Sequence, residues 1–281
     1  MKRLNFHLVL PILFLFFLGL NVAKVSGSCS ELNGHATILY TGKIEDVITN
    51  PENPEEIVNP GESEKETGDL RIDYVPYFIF DKEKVIDKTL ELIGHAQYYT
   101  SGQSPTGNFV QITDERVDAT GWTLSVTQET EFTHASQKEK ILKGTVLSID
   151  NVWTNSLWLK SGTTGEPEIN KEVIHIESGK SYVLATANEN EGKGRWSIVF
   201  GNAGENPRTG SKQTVSPQFF EDKTPVLLKD SHQILGNYGF DTTKQQTYYN
   251  TAIQLSIPVQ NETVETGLYE TKLTWKLSAT P

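Results

Sequence analysis

The chain has 281 residues, 36 acidic against 25 basic for a formal net charge of −11, and one cysteine. So acidic a surface repels polyanions, which argues against nucleic acid and anionic lipid as electrostatic partners, and a lone cysteine excludes an internal disulfide. The length is ample for one large core or two smaller ones.

Residues 1–28 read as a secretory signal peptide. Lys2 and Arg3 form a positive start, Leu8 to Leu20 is almost unbroken apolar sequence, and Val25-Ser26-Gly27 offers small residues for cleavage. The apolar run is too short to span a bilayer as a helix, which takes ~20 residues, and no later segment approaches that length, so no membrane span is expected. Cys29 follows directly, but Ser26 stands where a lipoprotein signal carries a large aliphatic residue, so an ordinary cleaved end is expected there. Loss of Lys2, Arg3 and Lys24 moves the net charge from −11 to about −14.

Residues 29–69 read as a short strand, Ala36 to Tyr40, followed by an acidic, proline-rich spacer. Thr49-Asn50-Pro51-Glu52-Asn53-Pro54-Glu55-Glu56-Ile57-Val58-Asn59-Pro60-Gly61 continues polar to Asp69. Few large apolar residues oppose the entropy of ordering, so the expectation is an extended, mobile tether.

From Leu70 to Pro281 the pattern is that of one β-rich domain. Leu70, Ile72 and Tyr74 alternate with Arg71 and Asp73, and Phe78 and Phe80 keep the parity. Ile253, Leu255, Ile257 and Val259 alternate with Gln254, Ser256, Pro258 and Gln260, and Pro258 suggests an edge strand. Similar runs lie at Phe109–Thr113, Trp122–Gln128, Thr145–Asp150, Val173–Ile176, Tyr182–Ala187, Trp196–Phe200 and Leu268–Ala279. Many short strands joined by Gly, Asn, Asp and Ser turns predict an all-β antiparallel sandwich or an elaborated Ig-like or barrel-like one. Helix is expected to be minor, with Asp81–Ile93 ambiguous and one helical turn at Gln137–Leu142.

Two strand segments repeat one frame, Gly121-Trp122-Thr123-Leu124-Ser125-Val126 and Leu273-Thr274-Trp275-Lys276-Leu277. Each sets an indole and a leucine on one face of a strand. Such a face either stacks on sugar rings or forms core; in an amphipathic sandwich strand, core is the default. Thr123, Ser125, Thr274 and Lys276 then face the other way. Asp114 and Arg116, two apart, suit a charge-assisted pair that fixes the entry to Trp122. Trp153, Trp158 and Trp196 either extend an aromatic surface or pack, with packing again the default.

Catalytic and metal-binding patterns are missing. His35, His95, His134, His175 and His232 stand singly, without His-x-x-x-His or His-Glu-x-x-His spacing. No Gly-x-Ser-x-Gly elbow or phosphate loop occurs. The expectation is no enzyme, no metal and no cofactor.

The two Trp-x-Leu frames, with the signal peptide and spacer before them, resemble the paired signatures of WxL-domain surface proteins of Gram-positive bacteria. Gly68 to Pro76 is similar to that family's opening strand, Ile112 to Arg116 to the strand before its first motif, and Gly194-Arg195-Trp196 through Gly201 to its middle segment. Ile257-Pro258-Val259 departs slightly from the family's order. The resemblance implies an extracellular protein at the cell surface, associated with peptidoglycan or another wall glycan through ligand-binding residues Trp122, Leu124, Trp275 and Leu277. With no sortase signal before Pro281, attachment is expected to be non-covalent. The alternative it implies is a structural subunit of a surface assembly that binds another surface protein through an exposed strand edge.

Overall fold

A computed structural model describes residues 44–280, apart from 82, 84–86, 119, 158, 160–164, 207 and 232–238. The signal peptide, Cys29, the strand expected at Ala36–Tyr40, Trp158 and His232 lie outside the described residues.

In chain order the strands are β1 (Leu70–Tyr74), β2 (Leu90–His95), β3 (Asn108–Asp114), β4 (Trp122–Gln128), β5 (Phe132–His134), β6 (Ile141–Leu142), β7 (Val146–Ile149) and β8 (Val152–Asn155). They continue with β9 (Glu168–Ile169), β10 (Ile174–Ile176), β11 (Ser181–Ala187), β12 (Gly194–Phe200), β13 (Val215–Pro217), β14 (Tyr248–Ile257), β15 (Tyr269–Glu270) and β16 (Leu273–Ala279). A four-residue helix, α1 (Leu228–Ser231), lies between β13 and β14.

The strands form antiparallel sheets in the orders β1-β3-β12-β8, β10-β7-β14-β13 with β2 also on β14, and β16-β4-β11-β9, plus a ribbon β15-β5-β6. All of them share one hydrophobic core. Val110 and Ile112 from the first sheet, Leu147, Ile253 and Leu255 from the second, Trp122, Leu124 and Val126 from the third and Phe132 from the ribbon belong to it. Period-two alternation does this directly: in β4, Trp122, Leu124, Val126 and Gln128 are buried while Thr123, Ser125 and Thr127 are half-buried. The expected all-β antiparallel architecture with minor helix is what the chain adopts.

β3 is buried along its whole length because both its faces are covered. Phe109 on the outer face joins Tyr74, Tyr99, Trp153, Val199 and Val58 in a second apolar cluster. Beside it the outer face turns polar. Asp73 Oδ2 accepts from Thr113 Oγ1 at 2.6 Å and Gln111 Nε2 at 3.1 Å, and Asp73 Oδ1 meets Arg71 Nε at 2.9 Å. Arg71 Nη1 reaches Glu115 at 2.6 Å. Burial pushes the Asp73 carboxyl above its ordinary value, against the hydrogen bonds and the Arg71 charge that favour ionisation.

The proline- and acid-rich segment lies over this polar surface. The expectation of a mobile tether is therefore corrected for residues 48–60. Thr49 donates its backbone N–H to Gln111 Oε1 at 2.8 Å, and Thr49 and Ile57 form a bridge. Asn50 Oδ1 accepts from Glu52 N, and Glu52 Oε1 accepts from Ala203 N at 2.8 Å and Gly107 N at 3.3 Å. Polar anchors add to the apolar burial that Val58 and Ile48 find in the second cluster.

Three further expectations change. β14 is a central strand, flanked by β2 on one side and by β13 and β7 on the other; Pro258 follows its last residue and ends the strand instead of marking an edge. Within the ambiguous Asp81–Ile93 stretch, Leu90–Ile93 is extended because Leu90 to Ile93 pair with Ile257 to Gln254 of β14. Gln137–Leu142 is a tight turn, with Lys140 N on Gln137 O, leading into β6.

Burial dominates at Glu52 and raises its carboxyl above the ordinary 4.5, although two backbone amides pull it down. The folded protein then holds this proton more tightly than the unfolded chain, so the group's contribution to stability is full below pH 4.5 and is lost as pH rises through the folded value. Glu52→Gln keeps an acceptor for both amides and cannot ionise. Its stability relative to the parent should rise between pH 4.5 and neutrality, read as the difference in urea midpoints; a flat difference would contradict this origin.

Candidate functional site: two paired motif strands

The two Trp-x-Leu frames, distant in sequence, are hydrogen-bonded neighbours. β16 pairs with β4 so that Trp275 faces Val126, Leu277 faces Leu124 and Ala279 faces Trp122. The two motif leucines are thus directly opposite. β4 also pairs with β11 on its other side, placing Trp122 against Ala187 and Ser125 against Val183.

The start of the first motif has a physical cause. Gly121 has φ +95°, a left-handed conformation that disfavours side chains, and an added Cβ would run into the carbonyl of Ala187. Arg116 clamps this turn: it meets Asp114 through Nε–Oδ1 at 2.9 Å and Nη2–Oδ2 at 2.8 Å, and donates from Nη2 to Gly121 O at 2.8 Å. The Asp114 hydrogen bond raises the Arg116 guanidinium above its ordinary value, against partial burial. The expected pair is present and does the expected work.

Trp122 and Leu124 are fully buried. The Trp122 indole donates Nε1 to Gly192 O at 3.1 Å, which satisfies its one polar atom. Gly192 has φ +66°, and an added Cβ there would stand 2.6 Å from Ala187 Cβ and 2.8 Å from Trp122 Cε2. Trp275 and Leu277 are half-buried and pack on the same core. Trp275 stacks on Phe200 with centroids 6.1 Å apart and planes 18° apart, and meets Phe78 edge-on at 6.2 Å. Trp275 therefore ties the third sheet to β12 of the first. The four residues expected to bind ligand are brought together on one core-facing side, with Trp122 and Leu124 enclosed and Trp275 and Leu277 half-buried.

Trp153 and Trp196 are also buried, with indole N–H groups on Gly201 O at 2.9 Å and Lys193 O at 3.0 Å. Neither extends an aromatic surface. Gly192, Phe78 and Phe200 were not anticipated as partners of the motifs; nothing in their local sequence couples them to strands so far away.

What the motif strands present to solvent is their other face and one edge. On the outer face, β16, β4 and β11 align three rows: Thr274-Thr127-Ser181, Lys276-Ser125-Val183 and Ser278-Thr123-Thr186. At the edge, Glu129 N donates to Lys272 O and Thr280 N to Gly121 O. The antiparallel alternation these bonds define turns the backbone groups of Leu273, Trp275, Leu277 and Ala279 away from β4. No strand among the described residues pairs with that side of β16. A separate concavity beside the ribbon is lined by Glu131, Lys138, Lys143, Glu270 and Lys272. Its carboxylates are committed: Glu131 accepts from Gly144 N at 3.2 Å and Glu270 meets Lys138 at 3.4 Å. Among the described residues no cluster of three His, Cys, Asp or Glu suits a metal ion, and no helix is long and apolar enough to cross a membrane.

A family model described as "WxL domain surface cell wall-binding" matches residues 30–281. No curated protein and no solved structure matches the chain. The matched span includes the folded-back 48–60 segment as well as both motif strands.

Trp122→Ala should cost about 3–5 kcal/mol in urea unfolding, the range for an enclosed aromatic. Trp275→Ala, at a half-buried site, should cost less. Gly192→Ala should exceed the ~1–2 kcal/mol of left-handed strain alone, because its Cβ also enters the Trp122 slot. Equal losses for the two tryptophan variants would contradict the packing described.

Proposed function

The chain belongs to the WxL-domain family of surface, cell wall-binding proteins, and from that premise we propose that it is exported and held at the wall non-covalently by this domain. The observation that carries the reading is that both family motifs are spent on one sheet. Trp122, Leu124, Trp275 and Leu277 act as its scaffold, and the wall contacts what that scaffold holds in place. Attachment then needs no covalent bond: a rigid surface has already lost the conformational entropy that a loose one would lose on binding.

A second reading, a subunit that docks on another surface protein, is favoured by the unpaired side of β16. A strand added there would bond to Leu273, Trp275, Leu277 and Ala279. Self-pairing over the whole strand would set Lys276 against Lys276 of a second copy, a like-charge contact that disfavours it. Under this reading, hydrogen exchange at those four amides slows on walls that still carry their proteins and is unchanged on bare ones.

Sedimentation with purified, protein-free sacculi tests the main reading. The protein should be retained and then released by concentrated urea without any wall hydrolase. Failure to be retained, or release only after enzymatic digestion of the wall, would overturn it.

A further inference from the structure

We infer that residues 44–60 form a strap that two copies of this chain exchange, each seating its strap on the first sheet of the other. This goes beyond wall attachment and does not depend on it. The strap is a unit in itself. Val58 N donates to Ile48 O at 2.9 Å, Asn50 N to Glu56 O at 2.8 Å, and Glu52 N to Asn50 Oδ1 at 2.9 Å. Every named strand follows it in the chain, so one covalent link, residues 61–69, joins it to the sheets.

The seat is specific to this strap, which makes a second copy the occupant. Gln111 Nε2 donates to Val47 O at 3.0 Å and Asn155 Nδ2 to Pro51 O at 2.9 Å. Asn59 N donates to Ser101 Oγ at 2.9 Å, and Thr100 N to Asn59 O at 2.8 Å. Val58 enters the cluster of Tyr74, Tyr99, Phe109, Trp153 and Val199, and the Glu52 carboxylate sits on the amides of Gly107 and Ala203. Exchange makes between copies the same contacts that the closed monomer makes within one, so only the link has to rearrange.

The link is suited to opening. It holds no apolar residue, and Glu62 and residues 64–69 are exposed. Gly61 turns the chain at φ +91° just after Pro60, and a cavity of about 20 Å³ lies beside Pro60 and Glu62, so packing does not lock this hinge. Fully extended, the link spans on the order of 30 Å, about the diameter of a small domain, which reaches a neighbour's sheet. Lifting the strap uncovers little apolar surface of its own: Val58 and Ile48 pack below it, while Ile57 is 58% exposed. A short link holds the strap at an effective concentration on the order of millimolar. Closed monomers therefore dominate in dilute solution, and exchange takes over where copies crowd. Each link carries Glu62, Glu64, Glu66 and Asp69 against Lys65. Two links cross in the exchanged pair, so salt that screens them favours exchange.

The test mixes two preparations of the secreted chain, both carrying Cys29→Ser. One has Asn59→Cys on the strap, and the other has Ser101→Cys beside it in the seat. Both positions are exposed, so each variant should keep the parent's melting temperature. With both changes in one chain, an internal disulfide should form in dilute solution and report the closed strap. Held together at about millimolar concentration and then oxidised, the two single variants should form the mixed bridge about tenfold in excess of either like bridge. High salt should raise that yield, and dilution before mixing should abolish it. Mixed and like bridges in comparable amounts would show random collision and overturn the proposal. Absence of the mixed bridge would overturn it too, as would failure of the double variant to bridge within its own chain.

Discussion

The antiparallel join between β4 and β16 is the constraint on which the rest depends. It sets Leu124 against Leu277 and closes a sheet whose inner face fills much of the common core. Without it, Trp275 has no strand to hold it over Phe200, and the third sheet loses its link to the first. Trp122 is a second fastening, since its indole N–H is satisfied by the Gly192 carbonyl and its flank fits a slot that only glycine leaves open. A family signature built of two short frames is thus explained by packing: each frame is incomplete without the other.

That assignment places the residues that identify the family on the core-facing side of their strands. Large rings serve best where they are enclosed, because each buries more apolar area than any other side chain. The solvent face of the same strands carries small hydroxylated residues and Lys276, side chains that favour extended backbone or tolerate it. Signature and solvent-facing residues occupy alternate positions of one strand.

Alternation was strong enough in the sequence to place β4 at its observed bounds and most of β3, β11, β12 and β16. The half-buried faces of Trp122 to Gln128 could be read directly because the period is two. Less was legible where an element owes its conformation to a distant partner. Leu90 to His95 carries no clean alternation and is drawn out by β14. β5, β6, β8 and β13 are short, and their order comes from pairing. Residues 48–60 misled for a different reason: composition measures apolar burial, whereas Thr49 and Glu52 are held by hydrogen bonds to Gln111, Gly107 and Ala203. At the site, the shared face of each motif was visible, and its partner was not. Neither Gly192 nor Phe200 stands near a motif in sequence.

The spacing of the joined strands also dictates an order of events. A chain emerging N-terminus first presents β4 and β11 well before β16, which pairs about 150 residues after its neighbour. Until then the inner face of β4 has one flank open, and its sheet is unfinished. Completion of that sheet consequently waits until β16 is available. The third sheet is thus joined by one of the widest sequence separations in the fold, and its closure waits on that single strand.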